Sequence, residues 1–181
     1  MSSQDLKLVL LDRDGVINVD SPDFIKHPDE WQALPGALAA IAQMQRYFKV
    51  AICSNQSGVG RGLFSEEILA AIHTKLNDEL CAVEGNRLPV FYCPHHPDDV
   101  CPCRKPQPAL LLTAMRSFGC TPGETVYIGD SAKDLQAAAN AGCDARLVLT
   151  GNGQTTLASA AAHGVTHYAD LAEAATQLVS A

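Results

Sequence analysis

No apolar run in the 181 residues approaches the roughly 20 that a membrane-spanning helix needs, so the chain is expected not to cross a membrane. Met1 to Lys7 is polar and lacks the basic start and small-residue cleavage site of a signal peptide, which points to the cytoplasm. Positive charge is scarce: 13 Lys and Arg stand against 20 Asp and Glu, a formal net charge of -7. An acidic chain is poorly suited to tracking a nucleic-acid backbone. Any anion it binds must be met by named local cations. There is no internal repeat, low-complexity tract or linker. With 47% hydrophobic residues the chain can bury one sizeable core but not two generous ones, so 1–181 reads as a single domain, and a monomer is expected. The seven cysteines are odd in number, which argues against a disulfide framework. Cys53, Cys81, Cys120 and Cys143 are scattered singly and read as small core hydrophobes.

What is present is an alternation of strand and helix signals. Apolar runs end at Asp12, at Cys53, at Cys93, after Ile128 and at Leu149, and Val165 to Tyr168 makes a short sixth strand. Between them lie helical patterns, one opened by Pro35-Gly36. Another starts at Ser65-Glu66-Glu67, an N-cap followed by acidic first-turn residues. Gly119 and Gly142 are placed as helix C-caps, and Asp170 caps a last helix. This order predicts an α/β fold: an open, mostly parallel sheet with helices on both faces. Three polar connections, Arg13 to Leu34, Ser54 to Phe64 and Cys93 to Lys105, come directly after strand carboxyl ends. In open parallel sheets ligands bind at that edge. None of the three has room for a large cap domain.

Asp12-Arg13-Asp14-Gly15 comes immediately after the first strand. Two carboxylates two residues apart can supply a nucleophile toward phosphorus and an acid for the leaving oxygen. Together they repel each other and any phosphate unless a divalent cation with oxygen ligands sits between them, which makes Mg2+ the natural partner. Ser54, Asn55, Gln56, Ser57 and Gly58 offer a hydroxyl, amides and backbone donors to phosphate oxygens. Arg104 and Lys105 supply the local cations. Gly129-Asp130 and Asp134 bring further carboxylates to the same edge.

Cys93-Pro94-His95 and Cys101-Pro102-Cys103 place four soft or borderline ligands within eleven residues. Cys93, His95, Cys101 and Cys103 suit a closed tetrahedral Zn2+ site, structural because no position is left for water. His96 falls outside the Cys-x-His spacing and reads as a neighbour only. The loop runs straight into Arg104-Lys105, so fixing its shape fixes where those cations point. Taken alone, such a loop would also suit an interaction module without catalysis.

Asp12-x-Asp14-Gly15, Ser54, Lys105 and Gly129-Asp130-x-x-x-Asp134, in that order and each at a strand end, resemble the signature of the haloacid dehalogenase-like (HAD) phosphatase superfamily. The resemblance covers nearly the whole chain. It implies that Asp12 attacks phosphorus and forms an aspartyl-phosphate. Asp14 would protonate the leaving alcohol and then activate water. Ser54 and Lys105 would hold phosphate oxygens. Mg2+ would be bound by Asp12, the carbonyl of Asp14, and Asp130, with Asp134 supporting Lys105. The Cys-Pro-His and Cys-x-Cys-Arg-Lys-Pro segments narrow the resemblance to the D-glycero-D-manno-heptose 1,7-bisphosphate 7-phosphatases and the histidinol-phosphate phosphatases. Arg13-Asp14-Gly15-Val16-Ile17-Asn18 and Asn55-Gln56-Ser57-Gly58-Val59-Gly60-Arg61-Gly62 resemble the former. A small phosphorylated sugar is then the expected substrate, in lipopolysaccharide precursor synthesis, with Arg61 as a clamp for a second phosphate. Ser131 stands where the heptose enzymes often carry Lys. A DNA 3′-phosphatase, which shares the superfamily, would need a basic groove that this composition does not offer.

Overall fold

The computed structural model describes residues 6–180. The expectation about a leader concerns Met1 to Lys7, and residues 1–5 lie outside the described part.

Six strands form one sheet in the order β3-β2-β1-β4-β5-β6. They are β1 Leu8–Leu11, β2 Lys49–Asn55, β3 Val90–Cys93, β4 Thr125–Gly129, β5 Asp144–Val148 and β6 Thr166–Tyr168. Every pairing is parallel. Among the described residues seven α-helices accompany them, the last following β6: α1 Ala37–Met44, α2 Ser57–Gly60, α3 Glu66–Ala82, α4 Ala109–Phe118, α5 Ala132–Ala141, α6 Gly153–Ala162 and α7 Leu171–Ser180.

Successive strand side chains point to opposite faces, and the central strands are apolar at both parities, so the sheet is buried on both sides. Val9, Leu11, Val50, Ile52, Val126 and Ile128 face one way, against α1, α3 and α7. Leu8, Leu10, Ala51, Cys53 and Tyr127 face the other, against α4 and α5. Full burial of one such aliphatic side chain is worth about 1.5–3 kcal/mol, and Leu8 to Leu11 are all at zero exposure. β1 is therefore an anchored central strand, and it holds Asp12 and the turn at its carboxyl end in place.

The capping signals act as the sequence predicts. Ser65 Oγ accepts from Ile68 N, Asp170 accepts from Glu173 N, and Gly119 and Gly142 take left-handed conformations at helix ends. Two details differ. β2 runs on to Asn55, so Ser54 and Asn55 are strand residues with fixed directions. Cys81 is exposed, whereas Cys53, Cys120 and Cys143 are buried. The inward positions of that turn of α3 go to Asn77 and Leu80, and the next residue at 3.6 per turn faces solvent.

Candidate active site and the adjoining cysteine loop

The carboxyl ends of β1, β2 and β4 converge on a cleft of about 440 Å³ lined by Asp12, Asp14, Ser54, Asn55, Arg104, Lys105, Asp130, Lys133 and Asp134, among others. At its floor lies Lys105, 3% exposed. Its ammonium donates to Asp134 Oδ1 at 2.7 Å and to Tyr127 Oη at 2.7 Å, and pairs with Asp12 Oδ1 at 2.8 Å. Three donors meet three acceptors, so this charge cannot wander. Burial pulls the Lys105 pKa down, but the two carboxylates outweigh it and raise it above the ordinary value.

Asp12, Asp130 and Asp134 bring ligand atoms within 4.8 Å of one another, and one buried ammonium leaves that trio with two uncompensated charges. Burial pushes the Asp12 pKa up to about 7. Lys105 works against the rise, and Asp134 and Asp130 add to it. Burial likewise lifts Asp130 to about 6, against hydrogen bonds from Asn152. A surplus of buried negative charge on oxygen donors fits a hard divalent cation. The hydrogen bonds separate the three carboxylates. Asp134 is used up: Oδ1 by Lys105 and Tyr127, Oδ2 by Ser131 N and Oγ. Asp12 Oδ1 holds Lys105 and Arg13 N, and Asp130 Oδ2 holds the backbone and side chain of Asn152. Asp12 Oδ2 and Asp130 Oδ1 have no such partner among the described residues.

Gly15 closes the site from below. Its φ is +78°, and a Cβ there would stand 2.2 Å from Asp130 Oδ2. Gly151, at φ +55°, meets the same oxygen and lies against the Gly15 backbone. Only glycine satisfies both the dihedral and the space.

Asp14 has neighbours that sequence reasoning missed. Arg13 is 1% exposed and grips the Asp14 carboxylate through Nε and Nη2 at 2.9–3.0 Å. Asn18 Nδ2 and Gln56 Nε2 each add a bond at 2.9 Å. Burial pushes the Asp14 carboxyl up, but the Arg13 guanidinium and these amides outweigh it and hold it below its ordinary value. Gln56 also donates to Ser54 Oγ at 2.8 Å, which ties β2 to the acid. Tyr127 and Asn152 were equally unforeseen. Tyr127 reads as an ordinary strand aromatic until Lys105, 22 positions away, is beside it. Ser57 is buried at the start of α2, outside the cleft lining. Arg61 lies outside the cleft too. Its guanidinium stands 5.8 Å over the Phe24 ring, because α2 turns it toward the first loop. Arg104 and Lys133 do line the cleft. Arg104 Nη1 is buried without a partner, and Lys133 makes no ion pair or hydrogen bond among the described residues.

The four cysteine-loop residues gather as their spacing predicts. The Sγ atoms of Cys93 and Cys103 each lie 3.7 Å from that of Cys101, and His95 Nδ1 lies 3.5 and 3.2 Å from Cys93 and Cys103. A tetrahedron with metal–sulfur arms of about 2.3 Å has edges of about 3.8 Å, so the donor set fits a zinc-sized ion. His96 turns away, its Nδ1 accepting from Asp98 N. The loop is stitched to the end of β2. Asn55 bonds both the N–H and the carbonyl of Lys105, Gln56 N donates to Cys93 O, and a Cβ on Gly60 would collide with His96 N and Pro94 O.

A parallel α/β sheet with an aspartate pair after β1, a buried lysine and a second aspartate set after β4 defines a HAD-class phosphatase. Residues 102–174 match the HAD-hydrolase-like family model. The D-glycero-beta-D-manno-heptose-1,7-bisphosphate 7-phosphatase of Bordetella bronchiseptica is 48% identical over 176 residues, 96% of this chain and 98% of that protein. Its counterpart from Pseudomonas aeruginosa is 42% identical over 95% of this chain and 97% of that protein. The crystal structure of the B. bronchiseptica D,D-heptose 1,7-bisphosphate phosphatase with magnesium and phosphate superposes with a TM-score of 0.92 at 47% identity, covering 97% of this chain and 99% of that one. The chain belongs to the D-glycero-D-manno-heptose-1,7-bisphosphate 7-phosphatase family. No helix among the described residues is long and apolar enough to cross a membrane.

Proposed function

We propose that the chain removes the 7-phosphate of D-glycero-D-manno-heptose 1,7-bisphosphate through an aspartyl-phosphate on Asp12. The observation that carries this reading is the Lys105 tripod. A permanent positive charge is pinned against the Asp12 carboxylate, where a phosphoryl group would arrive. Asp12 Oδ2, free of hydrogen bonds, attacks phosphorus. As the phosphorus–oxygen bond to C7 breaks, Asp14, ionised in the free site, passes to the leaving oxygen the proton it takes up with the incoming phosphate monoanion. Water then attacks the aspartyl-phosphate and returns a proton to Asp14, releasing phosphate and restoring both carboxyl groups. Ser54 and Lys105 hold non-bridging oxygens, Lys105 by exchanging its contact with Asp12 Oδ1 for one of them while Asp134 and Tyr127 keep it in place, and Asn55, Gln56 and Ser57 shape the β2 end around them. Asp12, the Asp14 carbonyl and Asp130 would hold Mg2+, which when bound neutralises charge between carboxylates and phosphoryl group. Asp134 keeps Lys105 in place. The magnesium and phosphate in the B. bronchiseptica crystal structure support this.

Cys93, His95, Cys101 and Cys103 would hold a structural Zn2+, supported by the edge lengths above. Arg104 and Lys133 meet the second phosphate, in place of Arg61, because they line the cleft with unused donors and Arg61 does not. The relatives share the β designation, which supports the β anomer. Seven unpaired thiols support a reducing, cytoplasmic setting. The test is kcat/KM on heptose 1,7-bisphosphate beside histidinol phosphate, with and without magnesium. A preference of about tenfold or more for the bisphosphate is expected. Equal rates, or a preference for histidinol phosphate, would overturn the substrate.

A further inference from the structure

His73 sits on α3, far from the catalytic strand ends in sequence, and is 8% exposed. It interrupts an otherwise apolar inward face of Leu69, Ile72, Leu76 and Leu80, on which Asn77 is the other polar residue. A buried polar side chain calls for a partner. Asn77 has one, since it brackets the backbone of Leu88. The partner of His73 is Arg13: Nη1 of the guanidinium stands 3.4 Å from His73 Nε2. That contact is at the long end for a hydrogen bond, yet His73 is the only acceptor that Nη1 has among the described residues. The Tyr92 ring packs beside the imidazole, tilted 53° to it with centroids 5.8 Å apart.

The guanidinium is thus divided. Nε and Nη2 hold the Asp14 carboxylate, and Nη1 is held by the imidazole. A nitrogen facing an arginine N–H must present its lone pair, so His73 carries its proton on Nδ1 and is neutral. Burial, joined by the Arg13 charge, lowers the His73 pKa to about 4, in keeping with that state. Without this third point the planar fork could pivot about its axis through Nε and Nη2. The carboxylate would keep its bonds from Asn18 and Gln56 but lose the fixed direction that the fork gives it.

We infer that His73 is a positioning residue for the proton donor, acting through Arg13 to aim the Asp14 carboxyl at the leaving-group oxygen. The inference rests on the role proposed for Asp14. It sets His73 apart from a core histidine that only fills space, and the two differ in what they do to the reaction. Alkoxide leaves slowly without a proton, whereas dinitrophenolate leaves without one. Misaiming the donor therefore slows alkyl phosphates selectively, while general loosening of the fold slows both alike.

The test compares kcat/KM for a simple alkyl phosphate with kcat/KM for dinitrophenyl phosphate in wild type, His73→Leu, His73→Gln and Asp14→Asn. The ratio of the two constants cancels the concentration of active enzyme, so it can be read even if a variant folds incompletely. Well-placed general acids contribute about 10²–10⁴-fold, and losing part of the aim should lower the alkyl-to-aryl ratio about tenfold in His73→Leu. A glutamine side chain keeps an acceptor oxygen in reach of Arg13, so His73→Gln should recover most of the ratio. Asp14→Asn sets the full size of the effect. A ratio shifted in Asp14→Asn but unmoved in His73→Leu would overturn the positioning role and leave the acid assignment standing. No shift in either variant would overturn the acid assignment and this inference together. A shift in His73→Leu that His73→Gln fails to recover would overturn the hydrogen bond as its cause.

Discussion

The aspartate cleft and the cysteine loop both gather metal-binding side chains, and they are built in opposite ways. The cleft is assembled by the fold. Asp12 and Asp130 extend from strands whose cores are at zero exposure, and Lys105, Tyr127 and Asp134 lock together beneath them. The loop has no such floor: Cys101, Cys103 and His95 are half-buried or exposed, and Val100 at its tip is fully exposed. Cys93 is fixed at the buried end of β3, but apart from the Asn55, Gln56 and Gly60 contacts the other three donors have little besides a shared ligand to hold them to it. A fold can impose charge proximity that water would forbid. A solvent-facing loop gains its shape from its ligand.

The largest expected effect is confined to the cleft. Asp12→Asn should lower turnover by about 10⁴-fold or more, with circular dichroism and thermal midpoint close to wild type, because the strand beneath is untouched. Activity within a factor of about ten of wild type would remove the covalent mechanism. Next is the proton competition that burial creates. With Asp12 at about 7 and Asp130 at about 6, both above ordinary carboxylates, the metal-free site takes up protons as pH falls, and they must leave before magnesium binds. Magnesium affinity should weaken on the order of twentyfold between about pH 8 and about pH 6, measured by calorimetric titration. The cysteine loop supplies the control: the apparent affinity of an oxygen-ligated cation should not change when its thiols are alkylated.

The join between the two regions is probed by the cations that border it. Lys133→Ala should lower kcat/KM for the bisphosphate on the order of tenfold, as expected for one charge-assisted contact of about 1.5–3 kcal/mol, with a much smaller loss on a monophosphate. Arg61→Ala, made in parallel, should change the ratio of the two substrates less than about threefold, since a guanidinium lying over an exposed-side aromatic ring contributes only ~0.5–1 kcal/mol. The reverse ranking would place the second phosphate on the Phe24 side of Asp14. The loop itself should show a smaller effect than Lys133. Cys101→Ser should lose bound zinc by mass spectrometry and raise KM several-fold, by roughly 1 kcal/mol of lost positioning, while far-ultraviolet circular dichroism stays as in wild type. A zinc-free variant with unchanged KM would separate the loop from the cleft.

Much of both regions was legible in the sequence, for different reasons. Strand ends are marked by where apolar runs stop, so Asp12, Ser54, Asp130 and Asp134 could be brought to one edge without coordinates. The loop ligands were legible because their order along the chain is nearly their order in space. Long-range partnership was not. Arg13 looks like a solvated charge between two aspartates, and only the proximity of α3 makes it a buried clamp. Tyr127 and Lys105 meet across the sheet. Arg61 is close to Ser54 along the chain yet is carried away by one short helical turn, and Cys81 faces water because Leu80 takes the inward position. Sequence distance predicts neither direction of a side chain nor what lies across from it.

The face-to-face glycines beneath Asp130 set the terms for retargeting this enzyme. Because neither Gly15 nor Gly151 can accept a single added carbon without striking Asp130, their codons should stay fixed in any mutant library. Lys133, on the opening turn of α5, has no such constraint and faces the cleft, whereas Ser131 beside it must keep its hydroxyl on Asp134. Diversity spent at Lys133 can change which second anion, or which neutral group, a selected variant accepts, while the chemistry below is inherited intact.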